Sequence, residues 1–330
     1  MIEPVHIGFI GCGGMASAHM NELLNLDGAS IKAVCDVVEP AATAAAQRTG
    51  AAAYTDLDKM LQRDDLHAVY LCLPVFAHGD AELAVIRRGL PFFVEKPVAR
   101  SMPVARRVLA AVRRKKLLTC VGYQLRYGGG TVAARQWLEG RTLALVVGRY
   151  WCGTGRALKG WQIEYARSGG QILEQATHTL DMMRYLCGEV SDVSALSASR
   201  ELRDIDCPDV HAVMLNFQSG CIGSMTTTWA YDMDDWSHAN ILHIAYEDKL
   251  VRWTADQSNL SGGGAEPQPL SQGGANIDQV FVDAVRTGDG SAILSDYADA
   301  VKSLDLSLAI SRSAQTNRKV RLGVAVSRST

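Results

Sequence analysis

"VHIGFIGCGGMASAH", at residues 5–19, decides the fold of this chain. The apolar run at its start is typical of a buried strand, and Gly11, Gly13 and Ala16 then follow with the spacing of a dinucleotide fingerprint. Gly11 allows a tight turn, Gly13 lets the backbone approach a pyrophosphate, and Ala16 permits close packing of the next helix. The N-terminus of that helix offers amide groups and a partial positive charge to phosphates. The stretch therefore predicts a strand, a turn and a helix that bind a dinucleotide.

Asp36 closes the second apolar run, "SIKAVCD" (30–36). A carboxylate about 20 residues beyond the fingerprint accepts hydrogen bonds from the adenosine ribose and repels a 2′-phosphate. Neither Arg nor Lys follows at once, because the chain continues as "DVVEP". Asp36 therefore favours NAD over NADP.

Short apolar runs alternate with longer amphipathic segments as far as residue 123. The strand candidates lie at 5–11, 30–36, 68–74, 91–97 and 117–123. Their continuous apolar character fits strands that are buried on both faces. Strands that alternate with helices predict an α/β domain with a doubly wound parallel sheet, here a Rossmann domain over 1–123.

The pattern changes after residue 123, where strand-like runs with alternating polarity and short turn signals dominate. We expect an α+β domain over 124–330 with a large, mostly antiparallel open sheet that is covered on one face. The Gly- and Pro-rich stretch 261–276 predicts a loop. Two helices should follow it, near 277–287 and 296–315.

The composition limits the class of protein. A chain of 330 residues suits two domains, and a formal net charge of -2 without long charge runs argues against a nucleic-acid or membrane partner. Eight cysteines form no CxxC pair and several lie in apolar runs, so we expect reduced thiols in a cytoplasmic protein and no metal site. The first apolar run has no basic segment before it, so we expect no signal peptide.

Lys96 ends another strand candidate, "PFFVEKP" (91–97). Ligands of open α/β sheets bind outside the carboxyl ends of the strands. Pro97 biases Lys96 away from the helical region, and an X–Pro bond is the kind that can be cis. By spacing alone, a surface lysine explains the pattern as well as a lysine in a site does.

The segment "GGQILEQATHTLDMMRYLCG" (169–188) has the pattern of an amphipathic helix. At about 100° per residue, one continuous helix would place Glu174, His178 and Asp181 on one face. A separate apolar stripe contains Leu173, Ala176, Leu180, Met183 and Cys187. The segment therefore predicts a helix that packs with its apolar stripe and presents a polar one.

Together these motifs resemble the glucose–fructose oxidoreductase, inositol dehydrogenase and rhizopine catabolism (Gfo/Idh/MocA) family. The resemblance runs over nearly the whole chain and includes the glycine turn, "LPVFAH" (73–78), Glu95-Lys96-Pro97 and "GGQILEQATHTLD" (169–181). In the family's second motif, Gly-Gly-Gly-x-x-x-Asp-x-Gly-x-His-x-x-Asp, His178 and Asp181 match. Glu174 stands where Asp is usual, and Ala176 replaces a Gly.

The resemblance implies an NAD(P)-dependent dehydrogenase that moves a hydride between a secondary hydroxyl of a sugar, sugar derivative or inositol and the nicotinamide. His178 is the expected general base, Lys96 the group that stabilises an alkoxide, and Glu174 a ligand of a neighbouring hydroxyl. Cofactor contacts are expected from Gly11, Gly13, Gly14, Met15, Asp36, Leu73, Pro74, His78, Glu95 and Lys96. Substrate contacts are expected from Tyr123, Arg126, Trp161, Glu174, His178 and Asp181, with Trp229, Asp235, Trp236 and His238 as weaker candidates.

Two other functions fit the same fold. One is cleavage or epimerisation of a glycoside through transient oxidation, with NAD held tightly and recycled. The other is a non-enzymatic NAD-binding sensor. In each case the half-covered sheet of the second domain predicts a homodimer or homotetramer.

Overall fold

The computed structural model describes residues 3–231, 239–254, 257–262, 265–270 and 273–323, with only the backbone for 154, 155 and 265–270. The chain forms two compact units. The first comprises Met1–Tyr123 and Ala275–Val301, and the second comprises Gln124–Gly274 and Lys302–Thr330. The expected second domain of 124–330 therefore needs a correction, because residues 275–301 belong to the first unit.

A parallel sheet forms the centre of the first unit, with strand order β3-β2-β1-β4-β5-β6. The strands are β1 Val5–Ile10, β2 Ala29–Cys35, β3 Ala52–Tyr54, β4 Ala68–Leu71, β5 Phe92–Val94 and β6 Thr119–Val121. The helices between them are α1 Gly14–Leu24, α2 Glu39–Thr49, α3 Leu57–Leu61, α4 Asp80–Arg88 and α5 Met102–Lys115. The order reverses between β1 and β4, so the predicted doubly wound Rossmann sheet is confirmed, and its ligand crevice belongs at that switch point.

Aromatic side chains fill the core of this sheet. Phe9, Tyr70 and Phe93 are fully buried on three neighbouring strands, and their rings stack with centroid distances of 4.8 Å (Phe9–Tyr70) and 4.7 Å (Tyr70–Phe93). Aromatic and β-branched residues suit a pleated, buried surface. The continuous apolar runs that predicted these strands therefore reflect burial on both faces.

The second unit, as far as the structure describes it, contains a nine-stranded sheet of order β14-β13-β12-β11-β7-β10-β9-β8-β15. Its strands are β7 Leu143–Trp151, β8 Val190–Ala198, β9 Val210–Phe217, β10 Ile222–Thr228, β11 Asn240–Tyr246, β12 Lys249–Trp253, β13 Ser258–Gly262, β14 Ala265–Leu270 and β15 Val320–Arg321. β7 and β10 pair in parallel, and the other described pairs are antiparallel. The mostly antiparallel sheet is as predicted.

The predicted loop at 261–276 is wrong in part, because β13 and β14 occupy much of it. β13 pairs with the edge of β12, and β14 pairs with β13. Pro267 and Pro269 lie on β14, the last strand of the sheet order, where a proline costs no ladder bond on its outer side. Sheet pairing therefore overrides a composition that is typical of a loop.

Helices cover one face of this sheet. The unit contains α6 Gly129–Leu138, α7 Tyr165–Ser168, α8 Gly170–Glu174 and α9 Thr177–Cys187, of which α6, α8 and α9 contact strands of the sheet. On β7 the side chains alternate: Val146 and Tyr150 are buried, whereas Leu145 and Val147 are 42% and 40% exposed. The period of two is that of a sheet with a single covered face.

Two further helices end the described chain, α10 Ile277–Thr287 and α11 Tyr297–Thr316, close to the predicted ranges. α10 belongs to the first unit, where Phe281 packs edge-on against Tyr70 at 5.4 Å and Phe93 at 5.9 Å between ring centroids. The Asn276 side chain caps α10 by accepting from the amide of Asp278. In the part of the chain that is described, no helix is long and apolar enough to cross a membrane.

Candidate active site

The glycine turn joins β1 to α1. Gly11 has φ +88°, and a Cβ at this position would lie 2.3 Å from the Cys72 carbonyl oxygen, so the turn requires glycine. A Cβ on Gly13 or Gly14 would meet no atom within 4 Å. Met15, in the first turn of α1, is 47% exposed. The space before the N-terminus of α1 is therefore open, as the approach of a pyrophosphate requires.

Asp36 lies beside this turn. Its Oδ2 accepts from the amide of Cys12 and its Oδ1 from the amide of Val38, both at 2.8 Å. Two backbone donors thus fix the carboxylate where the chain leaves β2. The Arg48 guanidinium, which sequence spacing did not indicate, donates to the Ser17 hydroxyl at 3.2 Å on the neighbouring helix.

The segment after β4 contributes one lining residue and one buried pair. Leu73 and Pro74 are half-buried, and Leu73 lies against the Gly11 turn. His78 is different: its Nδ1 lies 2.5 Å from Glu82 Oε1, and both side chains are 0% exposed. Its Nε2 is covered by protein atoms and makes no hydrogen bond to any described residue. The expected cofactor contact of His78 therefore needs correction, since in this conformation the ring lies beneath the surface.

Lys96 follows β5, with its side chain half-buried and with a cis peptide bond to Pro97. Glu95, which precedes it, is 4% exposed. Glu95 Oε2 accepts from the Lys96 amide at 3.1 Å, and a Cβ added to Gly122 would lie 2.5 Å from Glu95 Oε1. Glu95 therefore anchors the strand end from inside the unit rather than facing a ligand.

A buried charged cluster that sequence analysis missed lies behind this strand end. His19 on α1 places Nδ1 2.8 Å from Asp278 Oδ1 and Nε2 3.0 Å from Glu95 Oε1. Burial lowers the pKa of His19, but hydrogen bonds to Asp278 and Glu95 outweigh it and raise the pKa to about 10. His19 follows the fingerprint directly, yet Asp278 is 259 residues away in the chain, so no local pattern could have paired them.

In the second unit, the predicted continuous helix over 169–188 is wrong. α8 ends at Glu174, Gln175 has φ −122° and ψ −49°, and α9 starts at Thr177. The angular argument that placed Glu174 on one face with His178 therefore does not apply, although both side chains are half-buried. The residues of the predicted apolar stripe are nevertheless all buried, although they no longer share one helix: Leu173, Ala176, Leu180, Met183 and Cys187.

Asp181 and Arg126 were expected to contact a substrate, but the structure pairs them with each other. Arg126 donates to Asp181 through Nε at 2.8 Å and Nη2 at 2.6 Å, and the two side chains are 4% and 1% exposed. The Ser303 hydroxyl donates to the same carboxylate at 2.5 Å, and the Arg126 guanidinium lies 4.7 Å from the Tyr185 ring centroid. This pair positions α9 from within the unit.

Gln175, at the break between the two helices, is held by the sheet. Its Oε1 accepts from Trp229 Nε1 at 2.6 Å and from the Cys152 thiol at 3.5 Å. Trp229 is fully buried. Burial raises the pKa of the Tyr150 phenol, and nearby Cys152 and Glu174 add to the rise. Tyr150 is thus a neighbour of Glu174 that sequence analysis did not identify.

The remaining candidates differ in exposure. Tyr123 is 1% exposed, whereas Trp161 is half-buried in a short 3-10 helix, Gly160–Ile163. Asp235, Trp236 and His238 lie outside the described residues. Among the residues that the structure does describe, no group of three or more His, Cys, Asp or Glu side chains could hold a metal ion.

Comparison with known proteins finds several dehydrogenases among the relatives of this chain. The chain is 26% identical to a myo-inositol 2-dehydrogenase of Thermotoga maritima, over 69% of this chain and 71% of the relative. It is 27% identical to an inositol 2-dehydrogenase of Rhizobium meliloti, over 74% and 76%. A solved structure of levoglucosan dehydrogenase in complex with NADH and L-sorbose superposes with TM-score 0.87, over 98% of this chain and 100% of the other. At 20% identity, this likeness supports the fold.

Two family models match the chain. Residues 5–123 match the "Oxidoreductase family, NAD-binding Rossmann fold" of the GFO/IDH/MocA group. Residues 134–245 match the GFO/IDH/MocA C-terminal domain. These two ranges contain the glycine turn, the Glu95-Lys96-Pro97 segment and the broken helix of the second unit. The chain therefore belongs to the GFO/IDH/MocA family of oxidoreductases, with an NAD-binding Rossmann fold in its first unit.

Proposed function

We propose that the protein catalyses the reversible oxidation of a secondary hydroxyl of a sugar, sugar derivative or inositol with NAD. The observation that carries this proposal is the place of Lys96, two residues beyond the carboxyl end of β5 and next to Glu95, which is anchored inside the unit. Ligands of such sheets bind at this edge. Relatives named inositol 2-dehydrogenase and levoglucosan dehydrogenase support the substrate class.

The residues of the first unit fit the cofactor. The open space at Gly13 and Gly14 accommodates a pyrophosphate, and the fixed Asp36 carboxylate accepts hydrogen bonds from ribose hydroxyls. Because that carboxylate repels a 2′-phosphate, we assign NAD rather than NADP. When bound, the nicotinamide takes up or gives the hydride.

Three side chains carry the chemistry in this proposal. Lys96 donates to the substrate oxygen and stabilises the negative charge that develops there. His178 accepts the hydroxyl proton, and Glu174 accepts a hydrogen bond from a neighbouring hydroxyl. The buried Arg126–Asp181 pair positions the helix that carries His178. Substrate contacts of Tyr123 and Trp161 stay predictions.

A substrate panel tests the reaction. Inositols, aldoses and glycosides are incubated with NAD or NADP, and NADH release is compared with product formation by chromatography. We expect one NADH for each polyol or sugar oxidised, with NAD preferred. A glycoside cleaved or an epimer formed without net NADH would replace this proposal with the redox-assisted reaction, and no turnover of any compound would favour the sensor.

Variants test the roles. Lys96→Met and His178→Asn should each lower kcat about 10²- to 10⁴-fold while NADH still binds, as fluorescence titration measures. Lys59→Met is the matched control, because Lys59 is an exposed lysine on α3 of the same unit as Lys96. Unchanged kcat in both site variants would contradict the assigned roles.

We also propose a homodimer or homotetramer formed through the outer face of the second unit's sheet. Large apolar side chains are exposed there: Leu145 42%, Val147 40%, Leu196 65%, Met214 53%, Ile222 49% and Leu250 38%. Contiguous exposed apolar surface of this kind marks interaction sites. Sedimentation velocity at micromolar concentration tests the proposal, and a monomer would contradict it. Met214→Glu with Leu196→Glu should dissociate the assembly.

Two wider expectations stay proposals. The cytoplasmic location rests on the eight cysteines without a CxxC pair, and the lack of nucleic-acid or membrane partners rests on the formal net charge of -2. Cell fractionation with an antibody against the protein tests the first. Retention on heparin or on anionic vesicles at physiological salt would contradict the second.

A further inference from the structure

We propose that His19 is a positioning residue for the reaction: its ring fixes the Glu95 carboxylate, and Glu95 in turn fixes Lys96. The inference rests on the function proposed above, in which Lys96 acts on the substrate oxygen. All the residues that carry it lie in the first unit. His19 lies three residues beyond the fingerprint, and Asp278 lies in the first turn of α10.

The geometry favours a charged ring. Both ring nitrogens of His19 face a carboxylate, at 2.8 Å from Asp278 and 3.0 Å from Glu95. A neutral imidazole has one N–H donor, whereas both nitrogens of an imidazolium donate. The side chains of His19, Glu95 and Asp278 are 9%, 6% and 3% exposed, so each charge is removed from water and depends on the others for stabilisation.

Glu95 connects the His19 ring to the backbone of Lys96. One carboxylate oxygen of Glu95 bonds His19, and the other accepts from the Lys96 amide at 3.1 Å. The carboxylate also lies against Gly122, where a Cβ would leave only 2.5 Å. Loss of the imidazolium would leave one oxygen without its donor, so the carboxylate would turn or draw in water, and the backbone of Lys96 would shift with it.

The other side of His19 is also fixed. Asp278 lies in the first turn of α10, whose start is capped by Asn276. The ring of Phe93 lies edge-on to His19 at a centroid distance of 4.8 Å, and that of Tyr70 lies at 5.6 Å. These rings shield the cluster from water, which strengthens its charged hydrogen bonds. The result is a rigid connection from the helix of the glycine turn to the strand end that carries Lys96.

His19→Gln is the first test. The NH₂ group of glutamine can donate to one carboxylate, but its carbonyl oxygen would then face the other carboxylate and repel it. We expect kcat for myo-inositol or levoglucosan to fall about 10- to 100-fold with KM for NAD within about threefold of wild type, as misplacement of a reacting group does. The primary deuterium isotope effect on kcat should rise, because the hydride step becomes slower than product release.

Asp278→Asn is a second test of the cluster, and Met60→Ala is the control for lost stability. Asp278→Asn keeps the shape and the His19–Glu95 bond, so its effect on kcat should be smaller, and the double variant should be less than additive. Met60 is a fully buried apolar residue of α3 in the same unit, against Gly8. Met60→Ala should lower the unfolding temperature and leave both kcat and the isotope effect unchanged.

A second measurement does not depend on turnover. The rate at which acetic anhydride modifies Lys96 in the full chain, measured by mass spectrometry, should change by about threefold or more in His19→Gln and stay unchanged in Met60→Ala. If wild type oxidises no compound of the panel, the proposed function fails, and this measurement still decides the role of His19. If His19→Gln does not fold, Asp278→Asn takes its place. Variants that lose stability yet keep kcat, the isotope effect and Lys96 labelling would make the cluster structural and overturn the inference.

Discussion

Asp181 accepts two hydrogen bonds from the Arg126 guanidinium, at 2.8 and 2.6 Å, with both side chains almost fully buried. Asp181→Asn would remove a buried carboxylate that accepts two charged hydrogen bonds from this arginine. The free energy of unfolding should fall by about 3–5 kcal/mol, measured by urea denaturation. Arg141→Ala is the control, because Arg141 and Glu247 form an exposed pair 3.4 Å apart, and its loss should cost less than about 1 kcal/mol. Equal effects of the two variants would contradict the assigned role of the Asp181 pair.

Because of the His19 cluster, the free energy of unfolding should decrease at alkaline pH. Although burial lowers the pKa of His19, hydrogen bonds to Asp278 and Glu95 raise it from its ordinary value of 6.5 to about 10 in the folded protein. The folded state therefore holds an extra proton between these values, so the stabilisation is complete below pH 6.5 and is lost as pH rises through about 10. Urea denaturation at several pH values should show the difference between wild type and His19→Gln shrinking across this range. A constant difference would contradict the assignment of the charge.

At acid pH, His211 on β9 should make the free energy of unfolding depend on pH. Burial lowers its pKa to about 4, although Asp209 acts in the opposite direction. The unfolded chain therefore binds a proton that the folded chain does not, and stability falls as pH drops from 6.5 towards 4. His211→Gln should weaken this acid dependence of the unfolding midpoint. If the unfolding midpoint of the variant depends on acid pH as steeply as that of wild type, other groups cause this dependence.

Asp36 should determine the choice of cofactor. Asp36→Ser removes the carboxylate that the amides of Cys12 and Val38 hold, and with it the repulsion of a 2′-phosphate. We expect kcat/KM for NAD to fall about 10-fold or more and that for NADP to rise. Glu39→Ser, at an exposed residue nearby on α2, is the control. An unchanged ratio of the two cofactors would show that Asp36 does not contact the ribose.

Glu174 should influence which substrate is preferred. It stands where the family motif has Asp, and its carboxylate neighbours the buried Tyr150 phenol. Glu174→Asp shortens the side chain by one methylene, so the ratio of kcat/KM between two polyols should change by about 10-fold. Glu164→Asp, an exposed glutamate of the same unit, is the control. If both variants keep the wild-type ratio, Glu174 does not set specificity.

The first unit could be predicted from sequence wherever its signals are local. The glycine turn works this way, because the φ of Gly11 and the space at Gly13 depend on a few neighbouring residues. The cluster of His19, Glu95 and Asp278 could not be predicted, since it joins three segments and one of them lies 259 residues from His19. Charges that are paired across such distances leave no spacing pattern.

The second unit departs from prediction where tertiary packing overrides periodicity. The 169–188 segment has helical periodicity throughout, yet Gln175 leaves the helical region while Trp229 and Cys152 hold its side chain. The spacing predicted one polar face for Glu174, His178 and Asp181, whereas Asp181 turns inward and pairs with Arg126. β13 and β14 form because β12 offers an unpaired edge, which a composition rich in glycine and proline does not reveal.

Residues 275–301 have a consequence for anyone who wishes to transplant the dinucleotide module. A fragment that stops at Tyr123 would lack Asp278 and Phe281, so His19 would lose one of its two carboxylates and the Tyr70–Phe93 layer would lose its cover. A chimera that exchanges this unit for a relative's must therefore carry two separate stretches of gene, and its crossover points belong near 123/124, 274/275 and 301/302.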